Sequence, residues 1–121
     1  MASVFSDILD QLLRDLPEAL GAVFIDWEGE SVDHSAGDLG ATNIKLVGAH
    51  WGLTYNLMRR ACEQLELGTP TNMVLRFAER RVVIGRVVEG YYLVIATPSD
   101  CPLWRTLRAL RQTGQRLLQE L

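Results

Sequence analysis

The feature that most restricts how this chain can fold is a long middle segment with two apolar faces. Residues 42–67 read as one helix that begins at a Thr42 or Asn43 cap and ends at Gly68-Thr69-Pro70. At about 100° per residue, two roughly opposite stripes appear. The aromatic stripe is Ile44, Val47, Trp51, Tyr55, Met58, Cys62 and Leu65, and the leucine stripe is Leu46, Ala49, Leu53, Leu57 and Ala61.

A chain of 121 residues builds one domain, whose sheet can cover only one of these stripes. The uncovered stripe predicts a partner helix. We expect the aromatic stripe to face the partner, because Trp, Tyr and Met are enriched at interfaces. The alternative is that the leucine stripe faces the partner and Trp51 belongs to the core.

Alternating and continuous apolar runs predict five strands. GAVFIDW at 21–27 is apolar on both faces and predicts a central strand, and after the Glu28-Gly29 turn the polar ESVDHS predicts an exposed edge. TNMVLRFA, RVVIGRVV and YYLVIAT at 71–97 predict an antiparallel meander. Of these three runs, YYLVIAT predicts a central strand and TNMVLRFA an edge.

Two amphipathic helices are predicted at the ends of the chain. The first begins at a Ser3 cap and ends at Pro17. The last begins at Ser99 or Asp100, with Pro102 in its first turn. Since the first is acidic and the last carries four arginines on one side, we expect the two to pack side by side.

Composition excludes several classes of protein. A net charge of −3 and a pI near 5.3 argue against a nucleic-acid partner. Two cysteines are too few for a disulfide framework, and the N-terminal sequence is acidic where a signal peptide would be basic. No apolar run reaches the roughly 18 residues of a membrane span. We expect a cytoplasmic protein with no membrane association, formed by one domain over 1–121.

An acidic cluster around the first turn invites a metal or catalytic interpretation. Asp26, Glu28 and Glu30 match positions 1, 3 and 5 of a calcium loop, but position 6 is Ser31 and position 12 is Gly37. Successive strand residues point to opposite faces, which disfavours a carboxylate pair. The pattern favours a solvated β-hairpin.

No other motif indicates chemistry. His50 and Cys62 lie about 18 Å apart along one helix and cannot form a nucleophile and its base. The nucleotide motif GxxxxGK[ST] is absent. We therefore predict no catalytic residue, metal site or cofactor, and a protein that is not an enzyme.

The order of these elements resembles the Roadblock family of dynein-light-chain-like proteins. The carriers are the strand ending at Asp26, the Glu28-Gly29 turn, the long helix opening near Thr42 and the LVIAT strand before the last helix. The resemblance covers almost the whole chain, and the compact length is similar to gliding-motility polarity regulators of the MglB and MglC type.

This resemblance implies an α+β fold that is profilin-like: a five-stranded antiparallel sheet in the order 2-1-5-4-3, between a middle helix and two terminal helices. It also implies homodimers formed by middle helices and third strands, which regulate small Ras-like GTPases or bind another Roadblock protein. The predicted interface is then Ile44, Val47, Trp51, Tyr55, Met58, Cys62, Met73 and Leu75. Lys45, Arg59 and Glu63 are possible partner contacts.

Two alternative functions remain open. One is a GTPase-activating subunit, for which Arg59, Arg60, Arg80 and Arg81 are candidate arginine fingers; arginine is common at helix ends and turns, so the sequence does not favour this interpretation. The other is a small-ligand sensor with a pocket between sheet and middle helix. Against the sensor, Phe24, Trp27, Trp51 and Tyr92 are large enough to fill that space.

Overall fold

An antiparallel sheet runs through the centre of the molecule. The computed structural model describes residues 3–121, with residue 41 described by its backbone alone. In that part of the chain the strands are β1 (Gly21–Asp26), β2 (Ser31–Ser35), β3 (Asn72–Arg76), β4 (Arg80–Val88) and β5 (Tyr91–Pro98). The helices are α1 (Val4–Asp15), α2 (Ala41–Gln64) and α3 (Leu103–Gln119), with one 3-10 turn at Gly37–Leu39.

The strand order is β2-β1-β5-β4-β3, as predicted. β5 pairs with β1 on one side and β4 on the other, and all its residues from Tyr92 to Thr97 are buried. The polar β2 and the half-buried β3 form the two edges. A strand that is apolar on both faces needs cover on both faces, which explains why β1 and β5 lie centrally.

The sheet separates two hydrophobic clusters. In the first cluster, α1 and α3 pack on one face of the sheet, against alternate strand residues such as Phe24. The helices contribute Leu9, Leu12, Leu110 and Leu117, among others. The second packs α2 on the other face, against Val23, Ile25, Ile84 and Val94, among others. The predicted layers, with the middle helix on one face and the terminal helices on the other, are confirmed.

The terminal helices pack together as their charges predict. Arg105 lies 2.7 Å from Glu18 and Arg116 lies 3.7 Å from Asp15. All four side chains are more than one-third exposed, so each ion pair contributes about 0–1 kcal/mol to stability. Ser3 caps α1 as predicted, by accepting a hydrogen bond from the Ser6 amide at 3.1 Å.

Two helix ends differ from the prediction. α3 begins after Pro102, without a side-chain cap from Ser99 or Asp100. α2 ends at Gln64, three residues before the predicted end, because Glu66 and Gly68 adopt positive φ angles of 60° and 82°. The left-handed region at these residues is incompatible with helix continuation and is typical of a helix C-terminus.

Candidate partner-binding face

The side of α2 that packs on the sheet is set by two glycines one turn apart. A Cβ at Gly48 would lie 2.8 Å from the Val23 Cγ1, and one at Gly52 would lie 2.4 Å from the Ile25 Cδ1. A Cβ at either position would therefore require the Val23 or Ile25 side chain to move. The glycines therefore let the α2 backbone come unusually close to β1 and fix the rotation of the helix about its axis.

That rotation turns the first part of the aromatic stripe inward. Ile44 and Tyr55 are fully buried, and Val47 and Trp51 are half-buried against the same cluster. The prediction that this stripe faces a partner is therefore wrong for Ile44 and Tyr55, whereas Val47 and Trp51 pack on the cluster and keep part of their surface exposed. A side chain with no exposed surface in the single chain has no area left for a partner.

Tyr55 closes the space between α2 and the sheet. Its ring packs on Tyr92, with centroids 4.6 Å apart, and its hydroxyl donates a hydrogen bond to the Pro70 carbonyl. Burial raises the pKa of the Tyr55 hydroxyl above its ordinary value, and the nearby Tyr92 adds to the rise. This hydroxyl is a structural anchor for the loop between α2 and β3.

The C-terminal part of the aromatic stripe is less buried than the first part. Met58 is exposed and Cys62 is half-buried. On one flank of α2, Lys45 is exposed, and Arg59 forms an ion pair with Glu63 at 2.8 Å. Of the three flanking charges, Arg59 and Glu63 therefore lie together. Lys45 forms no ion pair within the described residues.

The leucine stripe is the apolar surface that α2 presents to solvent. Leu46, Leu53 and Leu57 are exposed by 52%, 53% and 66%, Ala61 is exposed, and Ala49 is half-buried. Three large leucines are exposed along one helix face, and apolar surface of this kind marks interaction sites. The alternative assignment, in which the leucine stripe faces outward and Trp51 packs inward, is the one that the structure supports.

The edge strand β3 carries apolar side chains on the same face of the sheet as α2. Met73 and Leu75 are half-buried on the α2 side of the sheet. Trp51 contacts Phe77, just past β3, with ring centroids 5.7 Å apart, and Phe77 is itself exposed. The outer edge of β3 pairs with no strand of the described chain. The leucine stripe and the β3 edge together make the candidate partner-binding face.

The sequence contains a signal that separates the two stripes, although hydropathy alone does not. Both stripes are apolar, and residue types enriched at interfaces favoured the wrong one. Gly48 and Gly52 project on the same side as Ile44 and Tyr55. A glycine pair four residues apart marks where a helix approaches another backbone closely, and this pattern identifies the inward side.

The acidic hairpin between β1 and β2, residues 26–30, is held by hydrogen bonds between side chains and its backbone. The Asp26 Oδ1 accepts hydrogen bonds from the Glu28 and Glu30 amides at 2.9 and 3.0 Å. Asn56 of α2 donates to the Trp27 carbonyl at 2.6 Å. These contacts make Asp26 a turn-stabilising residue. Within residues 3–121 no group of His, Cys, Asp and Glu side chains could hold a metal ion.

The arginines weighed as fingers occupy different environments. Arg81 is buried and donates to the carbonyls of Cys101 and Ser99 at 2.6 and 3.1 Å, which ties β4 to the segment before α3. Arg59 is occupied by Glu63. Arg60 and Arg80 are exposed. Arg81 therefore has a structural role, because its guanidinium cannot reach another molecule.

A five-stranded antiparallel sheet with this strand order, covered by one middle helix and two terminal helices, defines the class: the chain has the Roadblock fold. The structure is similar to Myxococcus xanthus MglB, with a TM-score of 0.86 and 13% identity over 96% of this chain and 93% of that one. It is also similar to the Roadblock/LC7 domain from Streptomyces avermitilis, with a TM-score of 0.85 and 13% identity over 93% of both chains.

MglC from Myxococcus xanthus has a TM-score of 0.68 and 24% identity, over 97% of this chain and 98% of that one. These likenesses confirm, at the level of the fold, the resemblance seen in the sequence. No family model and no curated protein matches the chain. Among the helices of residues 3–121, none combines the length and apolar character needed to cross a bilayer.

Proposed function

We propose that this protein is a cytoplasmic, non-enzymatic adaptor that pairs with a second copy and regulates a small Ras-like GTPase module for polarity or motility. The observations that carry the proposal are the exposed leucine stripe of α2 and the open edge of β3. Residues 1–121 act as one domain in this account.

The dimensions of α2 suit a helix pair. Its 24 residues make a helix about 36 Å long. Stable interfaces bury about 1,200–2,000 Å² in total, which needs more than three leucines. The neighbouring Met73, Leu75 and Phe77 extend the apolar surface toward the edge of the sheet. Two copies that pair through α2 and β3 would cover both features at once.

The GTPase part of the proposal is supported by the likeness to MglB and MglC and by the resemblance to the Roadblock family. The chain has no phosphate-cradling motif of its own. It would therefore bind a nucleotide enzyme or another Roadblock protein. The flanking Lys45, Arg59 and Glu63, together with the exposed Met58 and Cys62, are the proposed additional contacts.

An adaptor is distinguished from an activating subunit by the rate of GTP hydrolysis. The chain is mixed with each Ras-like GTPase and each Roadblock-fold protein of its own genome, and complexes are detected by size-exclusion chromatography with light scattering. Single-turnover GTP hydrolysis is then measured with and without the chain. We expect one candidate to co-elute and its hydrolysis rate to stay unchanged.

Faster hydrolysis in the presence of the chain would show that it is an activating subunit and not an adaptor. Arg60 and Arg80, which are exposed, would then be the arginines to substitute. Failure of every candidate to co-elute would contradict the GTPase proposal. The ligand-sensor alternative would use a cavity of about 460 Å³ between Val47 and Trp51 of α2 and Val82 and Ala96 of the sheet. Elsewhere under α2, Ile44, Tyr55 and Tyr92 are buried and leave no such space. Of the residues expected to fill it, Phe24 lies in the other cluster and Trp27 is exposed.

A further inference from the structure

A second apolar surface lies on the face of the sheet opposite α2. A groove of about 630 Å³ runs between α3 and the strands β3 and β4, and we call it the α3 groove. Its α3 wall carries Trp104, Leu107, Gly114 and Leu118, with Arg108 and Arg111 at the rim. Trp104 is 64% exposed and Leu118 is also exposed. The volume lies within the range of about 300–1,000 Å³ that is usual for binding sites.

Gly114 leaves room in this groove that the chain itself does not use. It lies inside α3, where glycine costs about 0.5–1 kcal/mol relative to alanine. A Cβ there would meet only the Val87 Cγ2 at 3.9 Å. At Gly85 on the groove floor, by contrast, a Cβ would lie 2.7 Å from the Leu110 Cδ2. Packing within the chain accounts for Gly85 and does not account for Gly114.

The charge of the groove indicates an acidic occupant. Within residues 3–121, neither Arg108 nor Arg111 forms an ion pair. The chain carries its acidic groups elsewhere: residues 1–40 contain nine carboxylates and one arginine, whereas residues 41–121 contain six carboxylates and eleven Lys or Arg. In the strand order, β1 and β2 lie toward one edge of the sheet and β4 and β3 toward the opposite edge. The acidic hairpin and the α3 groove therefore lie toward opposite edges.

The acidic hairpin has the chemistry that the α3 groove fits. Trp27 is 61% exposed, and Glu28 and Glu30 beside it are exposed too. Its backbone is already fixed by Asp26 and Asn56, so docking would cost little ordering entropy. Tryptophan and arginine are also the side chains most enriched among the energetically dominant contacts of interfaces.

We propose that the acidic hairpin of one copy docks in the α3 groove of a second copy, with Trp27 against the apolar wall and Glu28 and Glu30 facing Arg108 and Arg111. The two surfaces differ, so the contact is head-to-tail and leaves one free hairpin and one free groove at the ends. It is separate from pairing through α2. The protein then carries two self-association surfaces that use different side chains.

A charge-swap experiment tests this contact by analytical ultracentrifugation. The wild-type mass should rise with concentration at about 0.05 M salt and fall back at about 0.5 M salt, where charge interactions are screened within a few ångströms. Arg108→Glu with Arg111→Glu, and separately Glu28→Arg with Glu30→Arg, should each weaken the association by about tenfold or more. Mixing the two variants should restore it, because each groove then meets a hairpin of opposite charge.

Gly114→Leu offers a test that leaves every charge unchanged. The added side chain fills the α3 groove and should abolish the salt-sensitive association, while thermal melting shows that the fold persists. Gln112→Leu, an exposed position on another flank of α3, is the matched control and should leave the association intact. A mass that does not respond to concentration or salt overturns the proposal, as does a mixture of charge variants that fails to associate.

The outcome is separable from that of α2 pairing. Leu53→Asp should halve the mass of the smallest stable particle and leave the salt-sensitive association intact. Gly114→Leu should leave that smallest particle paired and abolish the salt-sensitive association. If α2 pairing fails, the head-to-tail step would still appear, starting from single chains.

Discussion

At the scale of single residues, glycine and tyrosine decide how α2 sits on the sheet. Gly48 and Gly52 allow a close approach, and Tyr55 fills the space next to them and bonds to the Pro70 carbonyl. Since Tyr55 is fully buried, its hydroxyl is kept neutral. The stability of the protein should therefore depend on pH in the alkaline range.

Tyr55→Phe tests this role. Burial raises the pKa of Tyr55 in the folded protein above the value near 10 of the unfolded chain, so the unfolded state loses its proton first. The stabilising contribution is complete below that unfolded value and is lost as the pH rises through the folded one. Urea unfolding at pH 7 and at pH 10–11 should show that Tyr55→Phe costs about 1 kcal/mol at neutral pH and flattens the alkaline loss.

Tyr91→Phe is the matched control, because Tyr91 is half-buried and lies on the other face of the sheet. It should leave the alkaline loss of stability unchanged. An alkaline loss of the same size in Tyr55→Phe and wild type would contradict the role assigned to this hydroxyl.

At the scale of the elements, most of the fold was predictable from hydropathy. The central positions of β1 and β5 follow from runs apolar on both faces, and the edge positions of β2 and β3 follow from polar or one-sided runs. The ends of the helices were less predictable. The spacing of apolar residues gives no sign of the left-handed turn at Glu66 that ends α2. The outward face of α2 was mispredicted because both of its stripes are apolar, and backbone approach at glycine decided between them.

A pair of substitutions on α2 tests the corrected orientation. Trp51→Asp places a charge in the cluster under α2 and should lower the free energy of unfolding by about 3–5 kcal/mol. Leu53→Asp changes a position that is exposed in the single chain, and should cost less than about 1 kcal/mol when both variants and the wild type are compared at chain concentrations low enough to dissociate α2 pairs. Chemical denaturation monitored by circular dichroism measures both. Equal losses of stability, or a larger loss for Leu53→Asp, would contradict this orientation and indicate that the aromatic stripe faces outward.

At the scale of the whole molecule, the two faces of the sheet are covered unequally. α1 and α3 seal one face except at the α3 groove, and α2 covers the other while exposing its leucine stripe. Acidic groups concentrate in residues 1–40 and basic groups in the rest of the chain. Exposed apolar surfaces of this kind mark interaction sites, and they are the basis of the two pairing modes proposed here.

The measurement that tests the central claim most directly is the mass of the particle in solution at high salt, where head-to-tail contacts are screened. Light scattering after size exclusion should give twice the chain mass of 13.6 kDa for the wild type and for Leu67→Asp, a matched exposed leucine beyond α2. Leu53→Asp should give a folded particle of one chain. A wild-type particle of one chain, or a Leu53→Asp particle that stays paired, would contradict the account of α2 as the partner-binding face.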